Sequence, residues 1–212
     1  MTHPRIVLAD DHTLLAEAFR KLLEPTYEVV GTVADGLALL DAAPALKPDV
    51  AVIDLAMPRL NGLEAGWRLK QMMPAVKLIF LTMNEDPDLA LEAMRQGASG
   101  YLLKTSAASE LFRAIRAALH GSTYVTPQIA RGMQEAFIRD PRGEKRDREL
   151  TPRQREVIQL LAEGKSMKEA ADILGVAPRT IAFHKYKMMK DLGIKTSAEL
   201  IRVGIKKRVL LA

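Results

Sequence analysis

Five short apolar runs mark the chain up to Lys104, and each closes on polar groups. Arg5 to Ala9 closes on Asp10-Asp11, Glu28 to Val30 on Gly31-Thr32, Val50 to Ile53 on Asp54, Lys77 to Leu81 on Thr82, and Gly100 to Leu103 on Lys104. Between and after these runs, apolar residues recur at helical spacing. Leu14, Leu15, Ala18, Leu22 and Leu23 make one stripe, and Leu63, Trp67, Leu69 and Met72 a second. Leu89, Ala93 and Met94 make a third that ends at Gly97, and Leu111, Ile115, Ala118 and Leu119 a fourth that ends at Gly121. Short strands alternating with helices of this length predict right-handed βαβ units around a doubly wound sheet. The expected fold of residues 1–122 is α/β, a flavodoxin-like five-stranded parallel sheet.

Past Gly121 the pattern changes. Thr123 to Ala130 holds a proline among short polar residues, and Arg139 to Glu149 is almost wholly charged. A run of that kind cannot bury apolar surface, so residues 123–149 read as a linker, with a helix available to Ile129–Ile138. From Leu150 the helix starts are explicit. Thr151 with Gln154, Ser166 with Glu169 and Thr196 with Glu199 each match the capping box, in which two side chains satisfy opposite orphan amides. Pro178 suits the first turn of a further helix, and Gly164, Gly175 and Gly193 stand where helices should stop. Residues 150–212 are therefore expected to form a small all-α domain of four helices. Its second and third helices, separated by Gly175-Val176-Ala177, form a helix-turn-helix candidate.

Charge supports the division. Residues 1–122 hold 12 basic against 15 acidic side chains, net −3, and residues 123–212 hold 19 against 11, net +8. A basic C-terminal portion suits a polyanion, although basic faces also occur on ordinary solvated helices. The absence of cysteine from the 212 residues excludes disulfides and thiol-rich metal sites. Met1 to Arg5 lacks the apolar core of a signal peptide, and no apolar stretch reaches about 18 residues, so a cytoplasmic protein without a membrane span is expected.

In a parallel sheet the C-terminal strand ends share one edge, and in a 2-1-3-4-5 strand order the first and third strands are neighbours. Asp10, Asp11 and Asp54 would then crowd together with Thr82 and Lys104 nearby. Like charges so close call for a cation, and Mg²⁺ suits carboxylate oxygens plus a phosphate. Asp54 can act as a carboxylate nucleophile toward a phosphoryl group, with Mg²⁺ and Lys104 countering its charge and Thr82 offering a hydroxyl. Taken singly, each residue has a plainer role: Asp10 as a helix N-cap, Lys104 as a surface lysine, Thr82 as a β-branched strand residue. Their joint placement at successive strand ends favours the phosphoryl site. His3, His12, His120 and His184 lack metal-ligand spacing and read as structural or solvated, and no Gly-rich phosphate loop is present.

Asp10-Asp11, the run from Asp54 through Leu55, Ala56, Met57 and Pro58 to Asn61-Gly62, Thr82, and Gly97 to Lys104 resemble the receiver domain of bacterial response regulators. Leu150 to Glu156, Ala170-Ala171, Thr180-Ile181, His184 and Leu192-Gly193 are similar to the LuxR-type helix-turn-helix. Together they resemble the NarL/FixJ class over nearly the whole chain except residues 123–149. The resemblance implies a two-component transcription regulator in which Asp54 accepts phosphate from a sensor histidine kinase. It further implies that Asp11 and the Ala56 backbone carbonyl hold Mg²⁺ with Asp10 nearby, and that Thr82 and Tyr101 form the switch. Without it, Tyr101 would pass for a surface strand aromatic. The output would be release of the DNA-binding domain, homodimerisation, or both, on double-stranded DNA. Apart from slow self-phosphorylation from small donors and self-dephosphorylation, no enzymatic activity is implied.

Three positions depart from the family's usual pattern: Met167 where asparagine is common, Ala177 in place of a capping serine, and Ala182 where lysine is frequent. Two other readings remain. An aspartyl phosphohydrolase would need an Asp-x-Asp pair, which Asp10-Asp11 does not provide. The other is a kinase-independent DNA binder with the receiver as an interaction module. At about 100° per residue, Ile181, His184, Met188 and Leu192 of the recognition helix should face the domain core. The opposite side carries Arg179, Ala182, Phe183 and Tyr186, expected mainly at base edges. Thr180, Lys187 and Lys190 are expected mainly at phosphates.

Overall fold

The computed structural model describes residues 3–139 and 150–206. The chain divides into two compact units, residues 1–142 and 143–212. The first is a parallel sheet in the order β2-β1-β3-β4-β5-β6. Its strands are β1 (Arg5–Ala9), β2 (Glu28–Val33), β3 (Val50–Asp54), β4 (Lys77–Thr82), β5 (Gly100–Leu103) and β6 (Tyr124–Val125). The connecting helices are α1 (Thr13–Leu23), α2 (Gly36–Leu46), α3 (Gly62–Met72), α4 (Pro87–Arg95), α5 (Ala107–Leu119) and α6 (Pro127–Arg139).

Strand side chains alternate between two faces. Ile6, Leu8, Val50, Val52, Ile79, Leu81 and Leu102 form one core with Phe19 and Leu23 of α1 and Leu111, Ala114, Ile115 and Ala118 of α5. The other face carries α2, α3 and α4, which contact β1, β2, β3, β4 and β5. Both faces are covered, which is why the central strands are apolar without alternation.

Four features differ from what the sequence pattern marks. The sheet has six strands rather than five, because the two-residue β6 pairs with β5 through Gly100–Tyr124 and Tyr101–Val125. Residues 124–139, read as part of a linker with a helix available to 129–138, form β6 and α6 within the first unit; that helix is present as α6, and it packs on α4. The Arg139 guanidinium donates to both carboxylate oxygens of Asp88 at 2.9 and 3.0 Å. The charged stretch 140–149 lies outside the described residues. Helix α2 went unmarked by the pattern because Pro44 interrupts it and alanine dilutes its stripe; Asp35 caps it by accepting from the Ala38 N–H. In α1 the inward face is shifted: Ala16, Phe19 and Leu23 are buried, whereas Leu14 is 85% exposed.

The turn from β3 into α3 places Asp54 and is unusually close. Asn61 caps α3 by accepting from the Glu64 N–H, and the Gly62 N–H donates to the Leu55 carbonyl at 3.0 Å. A Cβ on Gly62 would stand 2.0 Å from the Asp54 carbonyl oxygen.

The second unit comprises α7 (Pro152–Ala162), α8 (Met167–Ile173), α9 (Pro178–Asp191) and α10 (Ser197–Lys206). Its core gathers Leu150, Val157, Ile158, Leu160, Ala170, Ala171, Ile181, Met188 and Leu200. The three capping pairs close reciprocally, with the Gln154, Glu169 and Glu199 N–H groups donating to Thr151, Ser166 and Thr196 hydroxyls. The return bonds run from the Thr151, Ser166 and Thr196 N–H groups to Gln154, Glu169 and Glu199. Gly164, Gly175 and Gly193 adopt φ of +79, +62 and +66°, ending their helices in the left-handed region. Among the described residues no helix is long and apolar enough to cross a membrane.

Gly62→Ala is expected to lower stability by about 1–3 kcal/mol, the usual cost of overpacking, because the obstacle is backbone and cannot swing aside. A urea unfolding midpoint equal to that of the parent would contradict this.

Candidate functional site

The C-terminal strand ends converge on one ion cluster. Asp10 follows β1, Asp54 ends the neighbouring β3, and Lys104 follows β5. The Lys104 ammonium lies 2.9 Å from Asp10 Oδ2 and 2.7 Å from Asp54 Oδ2. All three side chains are buried, at 6, 4 and 1% exposure for Lys104, Asp10 and Asp54. The backbone fixes the lysine: its N–H donates to the Thr82 carbonyl at 2.8 Å, tying β5 to β4 at this edge. Asp54 Oδ1 accepts from the Ala56 N–H at 3.2 Å. Asp10 Oδ1 accepts from the His12 N–H at 2.9 Å, an interaction at the N-terminus of α1.

Burial pushes the Asp54 carboxyl above the ordinary carboxylate range, opposed by its contact with Lys104 and reinforced by the charge of Asp10. Two buried carboxylates share one ammonium, so the pocket retains negative charge. Asp10 Oδ2 and Asp54 Oδ2 touch Lys104 as ion pairs but receive no aligned hydrogen bond. Asp11, more exposed, stands at the rim. His12 Nδ1 is 3.0 Å from Asp11, 3.2 Å from Asp10 and 4.0 Å from Asp54. One ligand atom from each of Asp10, Asp11, His12 and Asp54 fits within 4.8 Å of the others. An oxygen-rich, negatively charged pocket with free lone pairs fits a hard divalent cation such as Mg²⁺.

The expected residues separate by contact. Asp10, Asp54 and Lys104 meet directly, and Asp11 joins them through His12. Thr82 ends β4 with its hydroxyl accepting from the Asn84 N–H at 2.9 Å. Tyr101 is not a surface aromatic; it lies fully buried in β5, since β6 pairs alongside it. The histidines show no metal-ligand spacing among themselves; the signal that places His12 at the site is its adjacency to Asp10-Asp11. A second unforeseen group lies behind Lys104. The buried Thr126 hydroxyl donates to Glu110 at 2.7 Å and accepts from the Leu103 N–H at 3.2 Å, and the Thr126 N–H donates to the Tyr101 carbonyl at 3.1 Å.

In the second unit, α8, the turn at Gly175 and α9 form a helix-turn-helix. Ile181 and Met188 of α9 are fully buried, and Leu192 is partly buried against the same core. His184 is half-buried beside them. On the opposite side Phe183 is 62% and Tyr186 58% exposed, with Arg179, Lys187 and Lys190 exposed and Thr180 and Ala182 half-buried. Ala177 makes no side-chain cap, and Pro178 opens the helix instead. The Arg153 guanidinium donates to buried Glu156 at 2.6 Å and to the Leu174 carbonyl at 3.2 Å, tying α7 to the end of α8.

Comparison with known proteins agrees with both units. A family model described as the response regulator receiver domain matches residues 6–116, and one described as bacterial regulatory proteins, luxR family, matches residues 148–203. The oxygen regulatory protein NreC of Staphylococcus carnosus (strain TM300) is 32% identical over 97% of this chain and 99% of its own length. Among solved structures, the RcsB response regulator of Salmonella typhimurium is 29% identical, covering 96% of this chain and 97% of that one, with a TM-score of 0.65. A LuxR-family response regulator from Aurantimonas sp. SI85-9A1 is 36% identical, covering 65% of this chain and 99% of that one, with a TM-score of 0.61.

Burial and the Arg153 guanidinium hold the His184 imidazole below its ordinary 6.5. Unfolding lets that ring take a proton the folded unit resists, so its contribution is full above pH 6.5 and is lost as pH falls below it. Glu169, bonded to Ser166, and Glu199, bonded to the Lys195 and Thr196 amides, are held below 4.5, so their contributions disappear on further acidification. The second unit should therefore lose stability in two stages, from pH 6.5 and then below 4.5. The urea midpoint measured against pH checks this, and His184→Gln should remove the upper stage alone.

Proposed function

The chain belongs to the response regulators with a LuxR-type output, phosphorylation-controlled DNA-binding transcription regulators of two-component systems, and we propose that Asp54 is the residue that takes the phosphoryl group. The observation that carries this reading is the Lys104 ammonium set between the buried carboxylates of Asp10 and Asp54. An Asp54 carboxylate oxygen attacks the phosphorus of a phosphohistidine on a sensor kinase, or of a small phosphodonor. The new bond is O–P; the bond to the donor breaks, and its electron pair leaves with the donor. Lys104, already against Asp54, turns its charge onto the phosphoryl oxygens.

Asp10, Asp11, Asp54 and the Ala56 backbone carbonyl would hold Mg²⁺, which supplies the positive charge that two buried carboxylates and an incoming phosphate require. Hydrolysis of the acyl phosphate is then slow self-dephosphorylation, and the protein is no turnover enzyme. Working on DNA places it in the cytoplasm.

Phosphorylation biases a two-state element. The Thr82 hydroxyl leaves the Asn84 N–H for a phosphoryl oxygen, and Tyr101 repacks in the space released. Tyr101 is bonded to Thr126 at the start of α6, and α6 lies on α4. Movement at the strand edge is thereby delivered to the chain segment that leads into the second unit. At the output end, the outward face of α9 enters the major groove, with Arg179, Ala182, Phe183 and Tyr186 at base edges and Thr180, Lys187 and Lys190 at phosphates. RcsB has been solved bound to DNA and as two dimers on parallel DNAs, which supports a homodimer on duplex DNA as the acting form.

Incubation with a small phosphodonor and Mg²⁺ should add the mass of one phosphoryl group to the chain and none to Asp54→Asn; chelation of the metal should abolish the addition. Equal labelling of the variant would move the acceptor elsewhere. The phosphorylated form should also bind duplex DNA more tightly or show a larger dimer fraction in sedimentation. Identical behaviour of the two forms in both assays would leave the receiver as an interaction module.

A further inference from the structure

The outward face of α9 has a chemical order of its own. Arg179 lies in the first turn, Ala182 and Phe183 in the middle with Tyr186 following, and Lys187 and Lys190 toward the end. Between residues 179 and 190 there is no asparagine, glutamine, aspartate or glutamate. The side chains that read adenine by two hydrogen bonds, and those that accept from cytosine, are therefore missing from this helix face. Lys187 is engaged with Asp191 at 3.4 Å, and the Lys185 ammonium sits 5.6 Å from the centre of the Tyr186 ring. Among the described residues of this face, Arg179 carries the one planar fork suited to guanine.

What the middle of the helix offers instead is apolar. Phe183 is 62% exposed, and its ring meets the His184 ring edge-on at 5.5 Å and 71°, which restricts its orientation. Ala182 beside it is too short to reach a base by hydrogen bonding and leaves room for close approach. The major groove presents one apolar group at its base edges, the C5-methyl of thymine, and alanine and phenylalanine are among the side chains that contact it. Starting from the reading of α9 as the DNA face, we propose that Ala182 and Phe183 recognise thymine through its C5-methyl. The half-site then carries thymine opposite the middle of α9 and guanine toward its N-terminal end, where Arg179 reads it.

The test uses the phosphorylated full-length chain and a duplex selected with it from a random-sequence pool. The duplex is resynthesised with deoxyuridine in place of thymidine, one position at a time, removing the methyl and keeping base pairing. Each contacted methyl should be worth about fourfold in affinity, the scale of burying one CH₂ group. Phe183→Ala should abolish that sensitivity at its own position while retaining the sensitivity of Arg179 to the guanine. Equal binding of thymine and uracil duplexes by the parent protein, with Arg179→Ala and Lys190→Ala both weakened, overturns methyl recognition and leaves the DNA face standing. Equal uracil sensitivity of the parent and Phe183→Ala also overturns it, because the methyl then acts through DNA shape. Parent-like binding by Arg179→Ala, Phe183→Ala and Lys190→Ala together would remove the DNA face and the proposal with it.

Discussion

Two carboxylates and one ammonium, all out of water, form the constraint on which the receiver unit depends. Burying Asp10 and Asp54 side by side is costly, and a single lysine offsets only part of that cost. Burial, with the Asp10 charge adding to it, raises the Asp54 carboxyl against the pull of Lys104, and the remaining negative charge makes the pocket receptive to a divalent cation. Charge arithmetic then orders the chemistry. A phosphoryl group adds further negative charge, so it can settle only where cations already compensate the carboxylates. The same imbalance that weakens the pocket as a structural feature suits it to a reversible modification.

The sheet makes this cluster possible. Strand order places β1 beside β3, so Asp10 and Asp54 become neighbours although 43 positions of sequence lie between them. β4 and β5 follow, and the Lys104 N–H on the Thr82 carbonyl sets the lysine's starting point. Below Asp54, Gly62 closes the turn so tightly that a methyl would collide with the Asp54 carbonyl. The carboxylates of Asp10 and Asp54 are thus held by backbone amides and the Lys104 ammonium by those carboxylates in turn, and this kind of preorganisation favours chemistry.

Much of this was legible in the sequence, for a physical reason. Strands buried on both faces appear as apolar runs, so a polar residue at the end of each run is conspicuous; Asp10, Asp54, Thr82 and Lys104 could all be found in that way. Capping boxes are similarly local, and those at Thr151, Ser166 and Thr196 close as their spacing predicts. Features that depend on tertiary partners were not legible. β6 has two residues, too few to show alternation, and exists because β5 offers an open edge. α2 carries Pro44 and an alanine-diluted stripe. Tyr101 looks like an edge-strand aromatic until β6 is counted, and although His12 adjoins Asp10-Asp11 in sequence, its approach to Asp54 depends on β1 lying beside β3.

β6 and α6 also bear on how a signal could leave the site. The central strands are held by full ladders and a core from which water is excluded, so they resist rearrangement. β6, by contrast, is joined to the sheet at two residues, with Thr126 as its anchor through Leu103, Glu110 and the Tyr101 carbonyl. Elements of low local stability are those that respond when an equilibrium is biased. The proposed switch at Thr82 and Tyr101 would meet long ladders toward β3 and β4 and a ladder of only two residue pairs toward β6. The proposed route therefore runs outward through Thr126, which is bonded to the Tyr101 carbonyl, to α6, the last described helix before the chain enters the DNA-binding unit.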